Sequence, residues 1–233
     1  MDNKSVVGSS QAQISESSFL SKVYLWMSLG LLVSAAGSLW ILSQPALLKA
    51  VFTNHFILIG LIVAELALVV WLSAAALKMS VSLASGLFLG YSFLNGITLA
   101  SIFLVYTGSS IVTTFAVTAG TFFFFALYGA TTKKDLTSVG GLAMMGLIGV
   151  IIASVVNIFL KSSGLEWAIT FIGIAVFLGL IAYDTQKLKA IHAMGFENAE
   201  TGKKIAILGA LKLYLDFINL FILLLRIFGR RRD

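Results

Sequence analysis

Seven long apolar stretches dominate this sequence and leave few folds open to it. Each is about as long as, or longer than, the roughly 20 apolar residues that cross a bilayer as an α-helix. Lipid offers the backbone no hydrogen-bond partners, so each stretch should be helical, and the alternating pattern of a membrane barrel is absent. The sequence therefore predicts an all-α membrane protein with seven transmembrane helices, over residues 23–43, 54–77, 81–106, 110–130, 138–160, 166–194 and 204–228.

The small share of charged residues excludes a soluble domain. Only 11% of the 233 residues are Asp, Glu, Lys or Arg, whereas soluble domains have about 25%. The net charge of +6 fits loops enriched in lysine, so we expect the lipid bilayer as partner and no nucleic acid. The absence of cysteine and the presence of only two histidines exclude thiol catalysis and argue against a fixed metal site or cofactor.

The chain divides into a polar N-terminal tail at 1–22, one seven-helix transmembrane domain at 23–229 and a basic tail at 230–233. The first apolar stretch is too long for the apolar region of a cleaved signal peptide, so it is predicted to be an uncleaved span. Pro45 is predicted to lie in the loop after this span. Gly86 and Gly90 form a pair of small residues on span three, which predicts a close helix contact there.

Loop charges predict a cytoplasmic N-terminus, because basic residues favour the cytoplasmic side. With seven spans, nine lysines lie on the side of the N-terminus, at positions 4, 22, 78, 133, 134, 187, 189, 203 and 204. Six basic residues lie on the opposite side, namely Lys49, Lys161, Arg226, Arg230, Arg231 and Arg232. The arginine-rich tail opposes this orientation, and a six-span arrangement with one re-entrant segment is the alternative.

Ionisable residues are costly inside a membrane, so each of the few in the spans is a candidate for function. Asp184 and Asp216 lie at nearly equal depth if span six continues to Gly195 and span seven begins near Lys204. Two touching carboxylates share a proton, because like charges at short distance do not both ionise readily. Such a pair would sense pH. The alternative is that the two aspartates face different helices and bond to local hydroxyls.

Span seven also has a polar seam on an otherwise apolar helix. At 100° per residue, Lys212, Asn219 and Arg226 fall within about 80° of Asp216. Such a seam should face the protein interior or a water-filled path. Lys212 also lies near enough to the membrane surface for its ammonium group to reach the headgroups.

Glu65 is the one charged residue in the middle of span two. Its expected partner is a polar or basic group on the seam of span seven. Lys78, at the end of span two, either reaches the aspartate pair or anchors the helix at the headgroups. Asn95 and Asn157 are amides inside spans three and five, and both are predicted to bridge helices.

Other classes of multi-span protein fit these residues poorly. A retinal protein would place a carboxylate on span three, which contains neither Asp nor Glu. An intramembrane serine protease would need a base beside its nucleophile, and neither histidine lies in the middle of a span. An aspartyl protease would use a carboxylate pair and stays open, although this pair lies near one interface among lysines. We expect no enzymatic activity.

Three segments give the chain a resemblance to the transmembrane Bax inhibitor motif family. They are LKLYLDFINLFILLLRIFG at 211–229, IAYDTQ at 181–186 and KKDLTSVGG at 133–141, and LYLDFINLF is highly specific. The likeness extends from Tyr24 to Gly229 and is nearest to the short bacterial members. It implies a central seventh helix surrounded by two three-helix groups, in a multi-pass protein of the bacterial inner membrane.

The same resemblance implies a pH-sensitive calcium leak channel whose sensor is an aspartate pair. By motif these aspartates are Asp184 and Asp216. Glu65 matches the family's span-two glutamate, and Arg226 matches its late arginine on span seven. Calcium would be the transported ion, with transient contacts at Asp184, Asp216 and Glu65 rather than a fixed metal site.

One position departs from the leak-type pattern. Those members have an arginine about three turns after the glutamate, which acts as a latch to the aspartates, and this chain has Ala76 there. Lys78 is an imperfect substitute. A second function also stays open, because some bacterial relatives modulate a membrane-anchored ATP-dependent protease or a stress response without transport. Residues 1–20 would then be the contact segment.

Overall fold

The computed structural model describes the backbone of residues 3–232 and the side chains of residues 18–232. Over this range it contains eight α-helices, one 3-10 turn and no strand. The helices are α1 (Asn3–Leu42), α2 (Pro45–Thr53), α3 (His55–Ala75), α4 (Val81–Val105), α5 (Gly108–Thr131), α6 (Thr137–Leu160), α7 (Ser163–Ala193) and α8 (Ala199–Phe228). All except α2 are long and apolar enough to cross a membrane, which confirms the predicted seven-span fold.

Two features near the N-terminus differ from the prediction. Helix α1 is continuous from Asn3 rather than beginning at Val23, because no proline interrupts this polar stretch and its residues are compatible with a helix. Its apolar, span-forming part is residues 18–42. Pro45 is the first residue of α2, so its placement in a loop was wrong. Proline suits the first helical position, where its missing N–H would have no intrahelical partner anyway.

The last two long helices form a hairpin with a short connection. Helix α7 continues past Asp184 to Ala193 as predicted, and Gly195 then adopts a left-handed backbone with φ of 83°, which glycine tolerates. Helix α8 begins at Ala199, five residues before the predicted start near Lys204. The side chain of Asn198 accepts a 2.8 Å hydrogen bond from the backbone of Thr201 and caps the new helix.

The chain folds into two compact units, each based on three long helices. The first unit comprises residues 1–104 and 188–214, and the second comprises residues 105–187 and 215–233. Helix α8 therefore contributes its first half to one unit and its second half to the other. It is also the most buried span, with 72% of its most apolar window buried, against 44% for α7. The most buried span is therefore the last one, and each unit contains three of the other long helices.

Close helix packing in the first unit occurs at Gly96 rather than at Gly86 and Gly90. A Cβ atom on Gly86 or Gly90 would meet nothing within 4 Å, so the predicted contact there is wrong. At Gly96 a Cβ atom would collide with the backbone of Ser34 on α1. The hydroxyl of Ser38 also donates a 2.5 Å hydrogen bond to the Gly96 carbonyl. The bare glycine thus lets α1 and α4 touch along their backbones.

Candidate functional site

Among the side chains that the structure describes, three carboxylates are buried in apolar helices, and they are the three that the sequence singles out. Asp184 and Asp216, which are 1% and 5% exposed, belong to the second unit. Glu65, which is 8% exposed, belongs to the first unit. Since a buried charge inside a membrane requires polar contacts, each unit contains a candidate site.

Asp184 is positioned by its neighbours in the YDTQ segment of α7. The ring of Tyr183 occupies the space that a Cβ atom on Gly140 of α6 would need. The side chain of Gln186 accepts a hydrogen bond from the Leu136 N–H and donates one to the Lys134 carbonyl, both at 2.8 Å. The segments YDTQ and KKDLTSVGG, far apart in sequence, therefore meet beside Asp184.

The loop between α5 and α6, to which Gln186 is hydrogen-bonded, is further ordered by Asp135. One oxygen of Asp135 accepts hydrogen bonds from the Thr137 hydroxyl at 2.6 Å and from the Thr137 N–H at 2.9 Å. These bonds, chiefly that of the hydroxyl, keep the pKa of Asp135 below its usual value, because they stabilise the charged carboxylate. Asp135 is thus ionised at neutral pH and stabilises the start of α6.

Asp216 lies on α8, next to an aromatic residue that packs against α5. The ring of its neighbour Phe217 makes edge contacts with Phe115 and Phe122 of α5, with ring centroids 5.2 and 5.6 Å apart. Such aromatic contacts hold this half of α8 firmly against α5. These contacts therefore help to fix the position of the backbone at Asp216.

The register of α7 and α8 determines the depth of the two aspartates. A Cβ atom on Gly173 would lie 2.8 Å from Leu223, so these two positions are level in the antiparallel pair. Asp184 follows Gly173 by eleven residues, whereas Asp216 precedes Leu223 by seven. The two Cα atoms thus differ in depth by about four residues, or ~6 Å.

The sequence predicted that Asp184 and Asp216 lie at nearly equal depth. Their depths differ by about one helical turn, because α8 begins earlier than the sequence indicated. Side chains lean towards the N-terminus of their own helix. In an antiparallel pair with this offset, the carboxylates of Asp184 and Asp216 lean towards each other in depth. That they share a proton stays a prediction.

In the first unit, Glu65 of α3 is held by two polar residues of α4. The Thr98 hydroxyl donates to one oxygen of Glu65, and Nδ2 of Asn95 donates to the other at 3.2 Å. Asn95 in turn accepts a 2.8 Å hydrogen bond from the hydroxyl of Tyr214 on α8. Asn95 bridges helices as predicted. The observed partners of Glu65 lie on α4 rather than on the polar seam of α8.

Tyr214 extends this chain of hydrogen bonds to α1. Its hydroxyl lies 2.7 Å from the hydroxyl of Ser34, which also lies 2.8 Å from the Ser92 carbonyl. The tyrosine proton is directed at Asn95, whereas the carbonyls of Ser92 and Gly30, the latter at 2.9 Å, are acceptors for the single proton of Ser34. One continuous chain therefore links Ser34, Tyr214, Asn95 and Glu65.

The other residues of the predicted polar network have different environments. Asn219 is half-buried and donates a 2.7 Å hydrogen bond to the Leu215 carbonyl of its own helix. Lys212 is half-buried in the first unit. Lys78 is exposed at the end of the 3-10 turn Ala76–Lys78, and Ala76, at the latch position, is fully buried. This exposure suits an anchor at the headgroups, and the latch stays a prediction.

Arg226, in the last turn of α8, is exposed and lines a cavity together with Lys161 and Glu166. The polar seam therefore runs from the buried Asp216 to an exposed arginine. The seam was predicted to face the interior or a water-filled path. Asp216 is buried, and Arg226, at the end of the helix, lines the cavity; whether water fills a path along the seam stays a prediction.

The family model described as "Inhibitor of apoptosis-promoting Bax1" matches residues 16–233. The chain belongs to this family. It is 52% identical over 215 residues to the Inner membrane protein YbhL of Escherichia coli K12, covering 92% of both chains. It is 46% identical to an uncharacterized protein of Borreliella burgdorferi, over 92% of this chain and 93% of that one. It is 43% identical to one of Rickettsia prowazekii, over 92% and 90%.

These comparisons confirm the family that the motifs indicate. Together with the seven apolar helices, the likeness to an inner-membrane relative identifies this Bax inhibitor-family member as a multi-pass protein of the bacterial inner membrane.

The most specific motif, LYLDFINLF, has residues in both units of this Bax inhibitor-family protein. Tyr214 joins the hydrogen-bond chain of the first unit, whereas Asp216 and Phe217 belong to the second unit. Tyr214 precedes Asp216 by two residues, so it lies about 200° around the helix, almost opposite the seam. This explains how one short segment of α8 contributes to two separate sites.

Three residues of the first site, namely Tyr214, Ser34 and Thr98, were not identified from the sequence. For Tyr214 a signal existed, because a phenol in an apolar segment usually has a hydrogen-bond partner when it is buried. Ser34 and Thr98 gave no comparable signal, because serine and threonine hydroxyls in helices commonly bond to the carbonyl one turn earlier.

Proposed function

We propose that this protein forms a pH-sensitive cation leak path through the inner membrane, with Asp184 and Asp216 as its gate. The observation that supports the proposal is the burial of these two acids on adjacent antiparallel helices of one unit, about one helical turn apart in depth. Ionised carboxylates attract cations and basic side chains, and protonated ones do not. Calcium, which prefers carboxylate oxygens, is the proposed ion.

The proposed gate opens in acid. At neutral pH a charged carboxylate holds nearby basic groups, and Lys212 lies one turn before Asp216 on α8. Protonation of the pair removes that attraction, so we expect the leak to increase as the pH falls. Glu65, buried in the first unit, is proposed as a further transient contact for the ion.

Calcium flux into liposomes that contain only the purified chain tests this proposal. We expect the parent flux to change from about pH 6 to pH 8, where a shared proton would be lost. Asp184→Asn and Asp216→Asn should each flatten this response. Glu197→Gln is the matched control, because it removes an exposed loop acid and should leave the response intact. An unchanged pH response in Asp216→Asn would show that the pair is not the gate.

The alternative proposal is a partner-dependent role, in which the protein modulates a membrane-anchored ATP-dependent protease or a stress response through residues 1–20. Residues 1 and 2, and the side chains of 3–17, lie outside the described residues. A folded, purified chain that conducts no calcium at any pH would favour this alternative over the leak.

A further inference from the structure

A polar cavity lies at one end of the second unit, away from the buried aspartates. Its volume is about 390 Å³, within the range of ~300–1,000 Å³ that is typical of ligand pockets. The end of α6, the first turn of α7 and the last turn of α8 form its walls through Asn157, Lys161, Glu166 and Arg226. Because these spans end at the membrane surface, the cavity lies at the level of the lipid headgroups.

Three charged side chains line this cavity without neutralising one another. Lys161, Glu166 and Arg226 are all exposed. Among the residues that the structure describes, none of the three forms an ion pair. The cavity therefore presents two cations and one carboxylate, which a ligand carrying a phosphate and an ammonium group would match.

Asn157 supplies a further donor. Its Oδ1 accepts a 3.0 Å hydrogen bond from the Ser162 N–H, and its backbone carbonyl accepts one of 2.8 Å from the Lys161 N–H. Since Oδ1 is used in this turn, the orientation of the amide is fixed. The Nδ2 group is then available to donate to an anion in the cavity.

The backbone of Lys161 is unusual. With φ of 49° it is left-handed, the one non-glycine residue with positive φ in the described part of the chain. Glycine is the usual residue at this position after a helix, because any side chain is disfavoured there. A lysine at this turn therefore lowers the stability of the fold, whereas its ammonium adds positive charge to the cavity.

We propose that this cavity binds the headgroup of a phospholipid that contains a phosphate and a primary ammonium, as in phosphatidylethanolamine. Arg226 holds the phosphate through parallel N–H bonds, and Lys161 adds a second positive charge. Glu166 accepts hydrogen bonds from the ammonium. Ile158 lines the cavity and is 68% exposed, so the acyl chains lie against the apolar outer surface of α6. This site is independent of the proposed leak.

Native mass spectrometry of the full chain in detergent tests the site with added phosphatidylethanolamine or phosphatidylglycerol. We expect Arg226→Gln to bind both lipids at least about tenfold more weakly, because at least one charge-assisted hydrogen bond to the phosphate is lost. Arg230→Gln, which removes an arginine outside the cavity, should bind as the parent does. Glu166→Gln should weaken phosphatidylethanolamine about tenfold and leave phosphatidylglycerol, which has no ammonium, unchanged or tighter.

Lys161→Gly separates binding from folding. It should raise the unfolding temperature, because glycine accepts the left-handed backbone, and yet weaken phosphatidylethanolamine binding. Equal lipid binding by Arg226→Gln and Arg230→Gln would overturn the site, and equal loss of both lipids in Glu166→Gln would overturn the role of the ammonium. Displacement of the lipid by inorganic phosphate alone would identify a phosphate site and overturn the lipid assignment.

Discussion

The hydroxyl of Tyr214 donates a 2.8 Å hydrogen bond to Asn95, and Asn95 donates to Glu65. Through this relationship the last helix is tied to the buried acid of α3 by way of α4. Hydrogen bonds are electrostatically stronger in an apolar environment, where an unpaired polar group is also costly. The chain therefore both holds these helices together and keeps an acid inside the membrane-spanning part of the fold.

Removal of the tyrosine hydroxyl tests this chain. We expect Tyr214→Phe to lower the free energy of unfolding by about 1 kcal/mol, since interhelical hydrogen bonds in membrane proteins are worth ~0.6–1.7 kcal/mol. Tyr91→Phe is the matched control. Its ring packs edge-on against that of Tyr214 at 5.9 Å, and no hydrogen bond of its hydroxyl is found among the described residues. Denaturant unfolding of the purified variants should show a clear loss for Tyr214→Phe only.

A double-mutant cycle tests whether Tyr214 and Glu65 act as one unit. In Glu65→Gln one of the two carboxylate oxygens becomes an amide N–H₂, so either Thr98 or Asn95 meets a donor where it met an acceptor. This weakens the contacts that orient the Asn95 amide towards Tyr214. We expect the effects of Glu65→Gln and Tyr214→Phe on unfolding free energy to depart from additivity by about 0.5 kcal/mol or more. Glu65→Gln with Tyr128→Phe, an exposed tyrosine of the other unit, should be additive. Additive effects in both cycles would contradict the coupling.

Much of this fold could be predicted from hydropathy, for a physical reason. An apolar segment in lipid has to be helical, so the spans follow from composition and length. The three buried carboxylates were also readable, because charged residues are rare inside spans and stand out against an apolar background. The motifs YDTQ and KKDLTSVGG indicated the family, and the structure adds that Gln186 joins them.

What the sequence did not predict depends on which helix faces meet. Gly86 and Gly90 look like a better packing pair than Gly96, and only the position of α1 decides between them. The start of α8 was placed too late because residues 199–203 are polar and resemble a loop. That shift of five residues changes the register of α8 by more than a turn, and so moves Asp216 relative to Asp184.

Gly96 offers a direct test of the observed packing. We expect Gly96→Ala to lower the free energy of unfolding by about 1–3 kcal/mol, the usual cost of overpacking, because its methyl group would collide with the Ser34 backbone. Gly90→Ala, on the same helix with open space around it, should be neutral or stabilising by up to about 1 kcal/mol from helix propensity. Thermal unfolding of the two variants provides the comparison, and a larger loss for Gly90→Ala would contradict the helix contact.

The orientation in the membrane is open to an equally direct test, because the chain contains no cysteine and each introduced one is a single label site. Gly164→Cys lies in the first turn of α7, where a Cβ atom would meet the Ser162 hydroxyl at an ordinary 3.9 Å, and Glu197→Cys is exposed just before α8. Glu197 is chosen rather than its neighbour Asn198, because a substitution of Asn198 would remove the cap of α8.

The excess of loop lysines on the N-terminal side predicts that position 197 lies in the cytoplasm. An impermeant maleimide should therefore label position 164 in intact spheroplasts and position 197 only after permeabilisation. The opposite labelling pattern would mean that the arginines at 230–232, rather than the loop lysines, determine the orientation.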